Sequence, residues 1–236
     1  MSAVDELDAA LLAGKAIPQL HLGDVDEAYR IQAALVERRL NRGERLVGIK
    51  MGLTSKAKMA QVGVDEVIWG RLTSGMRVSD GGEVSVGGFI HPRIEPEVAF
   101  LIRDGGISAI APALEIIDSR YADFKFTLPD VIADNTSAAA FVVGSWVPMP
   151  SNVDNLGVLL EMDGAVVQAG STAAILGDPR RAFEQGVALA ARYDVDIEDG
   201  WVFLAGAATA AVPLAPGAFV RAVVEGLGTA SVKAVS

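Results

Sequence analysis

Cysteine is absent from the 236 residues, and histidine occurs only as His21 and His91. The first absence excludes disulfides, thiolate zinc sites and cysteine nucleophiles, and is compatible with a reducing cytosol. The second leaves a Ser-His-Asp triad or a histidine-based metal site with only two imidazoles to draw on. Basic residues are short as well, 20 against 30 acidic ones, and the net charge of −10 repels phosphate backbones and anionic membrane surfaces. Neither nucleic acid nor a membrane is expected as a partner. No stretch reaches the ~18 apolar residues that cross a bilayer. The N-terminal "MSAVDELDAALLAGKAIPQL" sets Asp5, Glu6 and Asp8 where a signal peptide carries positive charge. These features predict a soluble, cytoplasmic protein whose chemistry falls to carboxylates and lysines.

What is present is core material: 51% of the residues are hydrophobic, enough for one large domain or one domain with a small appendage. Val4 to Leu12 and "DEAYRIQAALVERRLNRGERL" show helical spacing, the second with Ala28, Ile31, Leu35 and Val36 on one face. Asp24 or Asp26 would cap that helix and Gly43 would end it. After Gly43 the texture becomes short apolar runs punctuated by glycine, among them "LVGIKMGL", "EVAFLI", "FVVGSWV", "GWVFLAG" and "FVRAVVEGLGTASVKAV". Asp-Gly inside "LLEMDGAVVQ" favours a tight hairpin. One further helix is expected in "LGDPRRAFEQGVALAARYDV", with Phe183, Val187 and Ala190 on its face. The reading is an α+β fold, with a small N-terminal helical and mixed region over residues 1–75 and a β-rich catalytic domain over 76–236.

"HPRIEPEVAF" places Glu95 and Glu97 two apart, so in a strand both project from one face, about 7 Å apart along the backbone. Such a pair is ordinarily the wet side of an edge strand. Here the following "VAFLI" does not alternate, as in a strand covered on both faces, and two like charges there need a partner. Mg²⁺ fits, since it takes hard oxygen ligands and keeps water or substrate in its other positions. "APALEIIDSR" offers Glu115 as a third carboxylate, with Asp118 as a spare. "GIKMGLTSKAKM" puts Lys50 in an apolar, glycine-flanked run, whereas Lys56 and Lys58 sit in a polar, exposed-looking segment. Lys50 either snorkels its amine to the surface or serves as a cation that holds a substrate carboxylate or moves a proton.

Taken together, "GIKMGLTSKAKM…GVDEVIWGRLTSGM", "HPRIEPEVAFLI", "PALEIIDSRYADFKFTLPDVIADNTS", "LGDP" and "AGAATAAVPLAPG" follow an order that resembles the 2-keto-4-pentenoate hydratase and 2-oxo-3-hexenedioate (4-oxalocrotonate) decarboxylase family, of the fumarylacetoacetate hydrolase superfamily. The resemblance runs from about residue 25 to the C-terminus. It implies a mixed β-roll with a small helical N-terminal region, and a Mg²⁺ or Mn²⁺ enzyme of meta-cleavage aromatic degradation acting on a small 2-oxo acid. It also implies Glu95, Glu97 and Glu115 as metal ligands and Lys50 as the active-site lysine. "DFKFTLPDVIADN" is closer to the decarboxylase branch because of Lys125, an extra cation that could orient the distal carboxylate of a dicarboxylate; the alternative is an exposed charge beside Asp123. Asn135 and Thr209 are then substrate or metal-supporting hydrogen-bonders.

The expected reaction is metal-dependent decarboxylation of 2-oxo-3-hexenedioate to 2-hydroxypenta-2,4-dienoate. The alternatives are the dienoate hydratase, an acylpyruvate C–C hydrolase with His21 as its base, and a non-catalytic partner. A homo-oligomer is expected from apolar strands such as "FVRAVVEG", and the resemblance implies a complex with the pathway hydratase, because members of the family associate. Two departures stand out. The connection between Glu97 and Glu115 is shorter than the family usually has, missing much of a helix before "PALE", and the family's frequent Gly-His-Pro reads Gly-Asp-Pro, with Asp178 in place of histidine.

Overall fold

The computed structural model describes residues 1–55 and 66–236; Lys56 and Lys58 lie outside the described residues. The chain opens with two helices whose ends follow from local chemistry. In α1 (Ala3–Ala13) the Ser2 hydroxyl and the Asp5 carboxylate form a reciprocal capping box, and Gly14 closes the helix in the left-handed region. In α2 (Val25–Asn41) the Asp24 side chain accepts from the Asp26 N–H, so of the two aspartates Asp24 is the cap. Ala28, Tyr29, Gln32, Leu35 and Val36 face inward. Asp8 of α1 holds Arg42 at 3.0 Å and Arg38 at 3.3 Å, clasping the two helices together.

Thirteen strands follow among the described residues: β1 (Leu46–Gly52), β2 (Ile68–Thr73), β3 (Arg77–Val78), β4 (Gly82–Ser85), β5 (Arg93–Arg103), β6 (Gly106–Ile117), β7 (Ala138–Val143), β8 (Gly157–Met162), β9 (Ala165–Ser171), β10 (Val202–Ala207), β11 (Val212–Pro213), β12 (Phe219–Val224) and β13 (Gly228–Val235). They make two mixed sheets, one ordered β2-β1-β10-β5-β6-β7-β3 with β11 beside β5, the other β4-β13-β12-β8-β9. The β1–β10, β3–β7 and β4–β13 pairs are parallel. This is the expected α+β architecture. The first sheet draws strands from both sides of residue 75. Asp163 and Gly164, both at positive φ, turn β8 into β9, as an Asp-Gly hairpin requires.

One buried cluster gathers Leu72 of β2, Ala99 of β5, Ala113 of β6, Phe141 of β7 and Leu204 of β10. Side chains from both ends of the sheet meet there, so the sheet curls and its concave face closes on itself. A second cluster joins Ile94, Leu114, Ile116 and Val142 of the first sheet to Leu160, Val220, Ala222 and Val232 of the other. β5 is therefore covered on both sides, which explains its lack of alternation.

Two further helices lie among the described residues: α3 (Leu128–Ala133), begun by a Thr127–Asp130 capping box, and α4 (Pro179–Ala191), capped by Asp178. The α4 face differs from expectation. Ala182, Gly186 and Ala190 are buried, Phe183 is half-buried and Val187 is exposed. At Gly186 an added Cβ would stand 2.6 Å from the Phe203 ring and 2.8 Å from the Met51 sulfur. The helix is pressed onto β10 along its small residues, and apolar counting misses a stripe that carries no large side chain.

α3 leads into a turn that a buried ion pair holds in place. The Arg120 guanidinium binds the Asp134 carboxylate and the Asp118 carbonyl, and the Arg120 N–H donates to Asp134 at 3.0 Å. Burial, only partly opposed by Arg120, pushes the Asp134 carboxyl up to about 6. A carboxyl raised in the fold favours the folded state most at acid pH, and that contribution fades as pH rises through its folded value. Arg120→Met should therefore cost about 3–5 kcal/mol at pH 7.5, by stranding a buried charge. The deficit relative to wild type should shrink when denaturation is repeated at pH 5, where Asp134 is protonated.

Candidate metal centre and cavity

Two features of the sheet bring the glutamates together. Asp104 and Gly105, both at positive φ, turn β5 straight into β6 with Arg103 facing Gly106. In the resulting register Glu115 stands directly opposite Glu95, with Glu97 one step further along the same face. The short connection noted in the sequence is this turn, and it delivers Glu115 without an intervening helix. Ligand oxygens of the three residues lie within 4.8 Å of one another. The residues are 4%, 0% and 1% exposed, so their repulsion acts in a dry environment.

The immediate surroundings partly answer that charge. Lys50 of β1 reaches across the curled sheet to place its Nζ 3.0 Å from Glu115 Oε1. The same Nζ donates to the Thr136 carbonyl at 3.0 Å. Glu97 Oε2 accepts the Gly206 N–H at 2.8 Å. Gly206 lies where the β10–β5 register slips, at φ +115°, and a Cβ there would stand 2.1 Å from Thr54 Oγ1. This bulge turns an N–H toward the carboxylate, and only glycine fits it. Glu97 Oε1 and Glu115 Oε2 remain buried with no hydrogen-bond partner among the described residues. Burial, with the charges of Glu115 and Glu95, raises Glu97 well above the ordinary carboxylate range. Burial raises Glu115 as well, against the pull of Lys50. Orphaned hard oxygens and an excess of negative charge are the donor set of a divalent cation such as Mg²⁺, and the residues fit one.

Lys50 is aimed by an unusual turn. Asn135, Thr136 and Ser137 have consecutive positive φ values of 49°, 55° and 57°. Asn135 maintains the turn by imitating a strand partner: its Oδ1 accepts the Arg71 N–H at 2.8 Å and its Nδ2 donates to the Arg71 carbonyl at 2.9 Å. The Thr136 hydroxyl donates to the Trp69 carbonyl at 2.9 Å. Asn135 thus supports the turn with both ends of its amide, and the neighbouring Ser137 reaches the cavity. Ser137 Oγ is buried without a hydrogen-bond partner among the described residues and lines the cavity, a role the sequence reading did not assign.

The cavity has a volume of about 550 Å³. Lys50 and Glu95 line it together with Thr209, while Leu53, Ile68, Ile117, Phe126 and Val131 form apolar walls. The other candidates lie elsewhere. Lys125 does not line the cavity; its side chain is 73% exposed and stands 3.7 Å from Asp123. Asp118 accepts the Ile90 and His91 N–H groups at 2.9 and 2.8 Å, fastening the loop that enters β5 instead of joining the carboxylates. His21 is exposed in the loop before α2. Asp178 caps α4 and binds Arg180, whose hydrogen bonds lower its carboxyl.

No family model matches the sequence. The chain is 50% identical to a 4-oxalocrotonate decarboxylase from a Pseudomonas species, over 95% of this chain and 94% of that one. It is 32% identical to a 2-hydroxyhexa-2,4-dienoate hydratase from Comamonas testosteroni, over 89% and 86% of the two chains. Among solved structures, a 4-oxalocrotonate decarboxylase from Pseudomonas putida G7, complexed with magnesium and adipate, superposes with a TM-score of 0.94 at 34% identity, covering 98% of this chain and 95% of that one.

If the carboxylates seat a cation, Mg²⁺ should raise the thermal unfolding temperature, at a hundredfold excess over Kd by the equivalent of about 2.7 kcal/mol. Glu97→Gln should abolish the rise. Because Glu97 and Glu115 are raised, protons compete for the same oxygens; calorimetry in buffers of different ionisation enthalpy should show proton release on binding and weaker affinity as pH falls.

Proposed function

The chain belongs to the 4-oxalocrotonate decarboxylase and 2-keto-4-pentenoate hydratase family, and from that premise we propose that it converts 2-oxo-3-hexenedioate to 2-hydroxypenta-2,4-dienoate and CO₂ with Mg²⁺ as its cofactor. The observation that carries this reading is the buried Glu95–Glu97–Glu115 set with Lys50 beside it, of which Glu95 and Lys50 line a cavity with apolar walls. We read the curled sheet as the β-roll implied by the sequence.

Glu95, Glu97 and Glu115 would hold the cation. When bound, the cation supplies a Lewis acid for the C1 carboxylate and C2 carbonyl oxygens of a 2-oxo acid. The C5–C6 bond breaks and C6 leaves as CO₂. Its electron pair passes through the conjugated chain to the C2 oxygen, and protonation there gives the hydroxydienoate. Lys50 Nζ, held between Glu115 and the Thr136 carbonyl, sets a positive charge beside the end of the substrate where negative charge accumulates, and can deliver that proton. Ser137 Oγ offers a hydrogen bond from the cavity wall, which Thr209 also lines with its hydroxyl donating to the Ala210 carbonyl at 3.2 Å. Ile117, Phe126 and Val131 keep water from the conjugated chain.

Incubation with Mg²⁺ and 2-oxo-3-hexenedioate should release CO₂ with an accompanying change in ultraviolet absorbance. Lys50→Ala should lower turnover by about 10²–10⁴-fold. Turnover confined to 2-hydroxypenta-2,4-dienoate would replace this reading with the hydratase, and cleavage of an acylpyruvate alone would replace it with a hydrolase.

A further inference from the structure

The proposed substrate carries a carboxylate at each end, and the cavity wall at Glu95 and Lys50 accounts for only one. Among the described residues that line the cavity the cations are Lys50 and Arg93. Lys50 is committed to Glu115 and the Thr136 carbonyl. Arg93 begins β5, two residues before Glu95, so it projects from the same face about 7 Å along the strand. That separation is comparable to the length of an extended six-carbon diacid.

The guanidinium is held ready. Its Cζ lies 4.9 Å from the centroid of the Phe124 ring, which also lines the cavity. Phe124 in turn packs on His91, with ring centroids 4.5 Å apart, and Asp118 fixes the His91 backbone. No carboxylate pairs with Arg93 among the described residues, and it is exposed where it borders the cavity. A planar fork laid on an aromatic face, with free N–H edges, suits bidentate binding of a carboxylate.

We propose that Arg93, seated on Phe124, captures the distal carboxylate of the dicarboxylate substrate and sets the preference for diacids over monoacids. This rests on the decarboxylase reading above. The position also suits the chemistry. A deeply buried, tightly paired guanidinium would stabilise the carboxylate and oppose its departure as neutral CO₂, whereas one at the open mouth is screened by water. It aids binding more than the bond-breaking step, so its effect belongs in KM rather than kcat.

The test is binding of adipate and of hexanoate to the Mg²⁺-loaded protein by calorimetry, alongside steady-state kinetics on 2-oxo-3-hexenedioate, for wild type, Arg93→Gln and Arg93→Lys. We expect Arg93→Gln to weaken adipate and raise KM by about tenfold, the scale of a charged hydrogen-bonded pair, with hexanoate affinity retained and kcat reduced by less than threefold. Arg93→Lys should recover part of the adipate affinity. Equal weakening of adipate and hexanoate, or no change in adipate, would overturn the assignment. Absence of CO₂ release by the wild type would instead overturn the decarboxylase reading, and the adipate preference would still report on Arg93.

Discussion

Three carboxylates within 4.8 Å of one another repel, and in a protein interior the Lys50 contact to Glu115 offsets that repulsion only in part. The surrounding structure is arranged around this cost. The tight turn at Asp104–Gly105 sets Glu115 across from Glu95. The bulge at Gly206 gives Glu97 an N–H, and the curl of the sheet lets Lys50 reach the pair from β1. The Gly206 N–H and Lys50 lower the charge burden on the glutamates, yet Glu97 Oε1 and Glu115 Oε2 still lack a hydrogen-bond partner among the described residues. A divalent cation is the group whose arrival turns the repulsion into binding energy.

Around that centre the supports are themselves pinned. Arg120 and Asp134 tie the end of β6 to the left-handed turn at 135–137, and Asn135 and Thr136 stitch the turn to β2. The turn presents one carbonyl to Lys50 and one hydroxyl to the cavity. Asp118, a few residues past Glu115, performs the same kind of task at the mouth by anchoring the loop of His91. Residues that bear charge near the site thus divide into those that face the cavity and those that fix its walls.

This division explains what the sequence made legible. Glu95 and Glu97 stood out because they interrupt a strand too apolar to tolerate them, and Lys50 because its apolar run is broken by nothing else that is charged. The cap of the second helix, narrowed to Asp24 or Asp26, and the Asp-Gly hairpin were readable because each depends on a few adjacent residues. Asn135 was expected as a substrate or metal-supporting hydrogen-bonder, and which backbone its amide reaches, that of Arg71, a residue distant in sequence, is not written in local spacing. Lys125 carried the right charge, but the direction of its side chain depends on a local kink at Asp123 that spacing does not reveal. Gly186 shows the same limit in packing, since a stripe of small residues has no hydrophobic signature. Arg93 was in plain view in "HPRIEPE" but drew no reading, because its place beside the cavity follows from the strand's geometry.

The central claim is that Glu95, Glu97 and Glu115 form one cation seat. Anomalous diffraction from crystals soaked in Mn²⁺ tests it most directly. The account predicts a single strong peak bounded by oxygens of all three residues, with Lys50 still beside Glu115. A peak elsewhere, or three carboxylates that stay together with shared protons and no metal at saturating Mn²⁺, would contradict it.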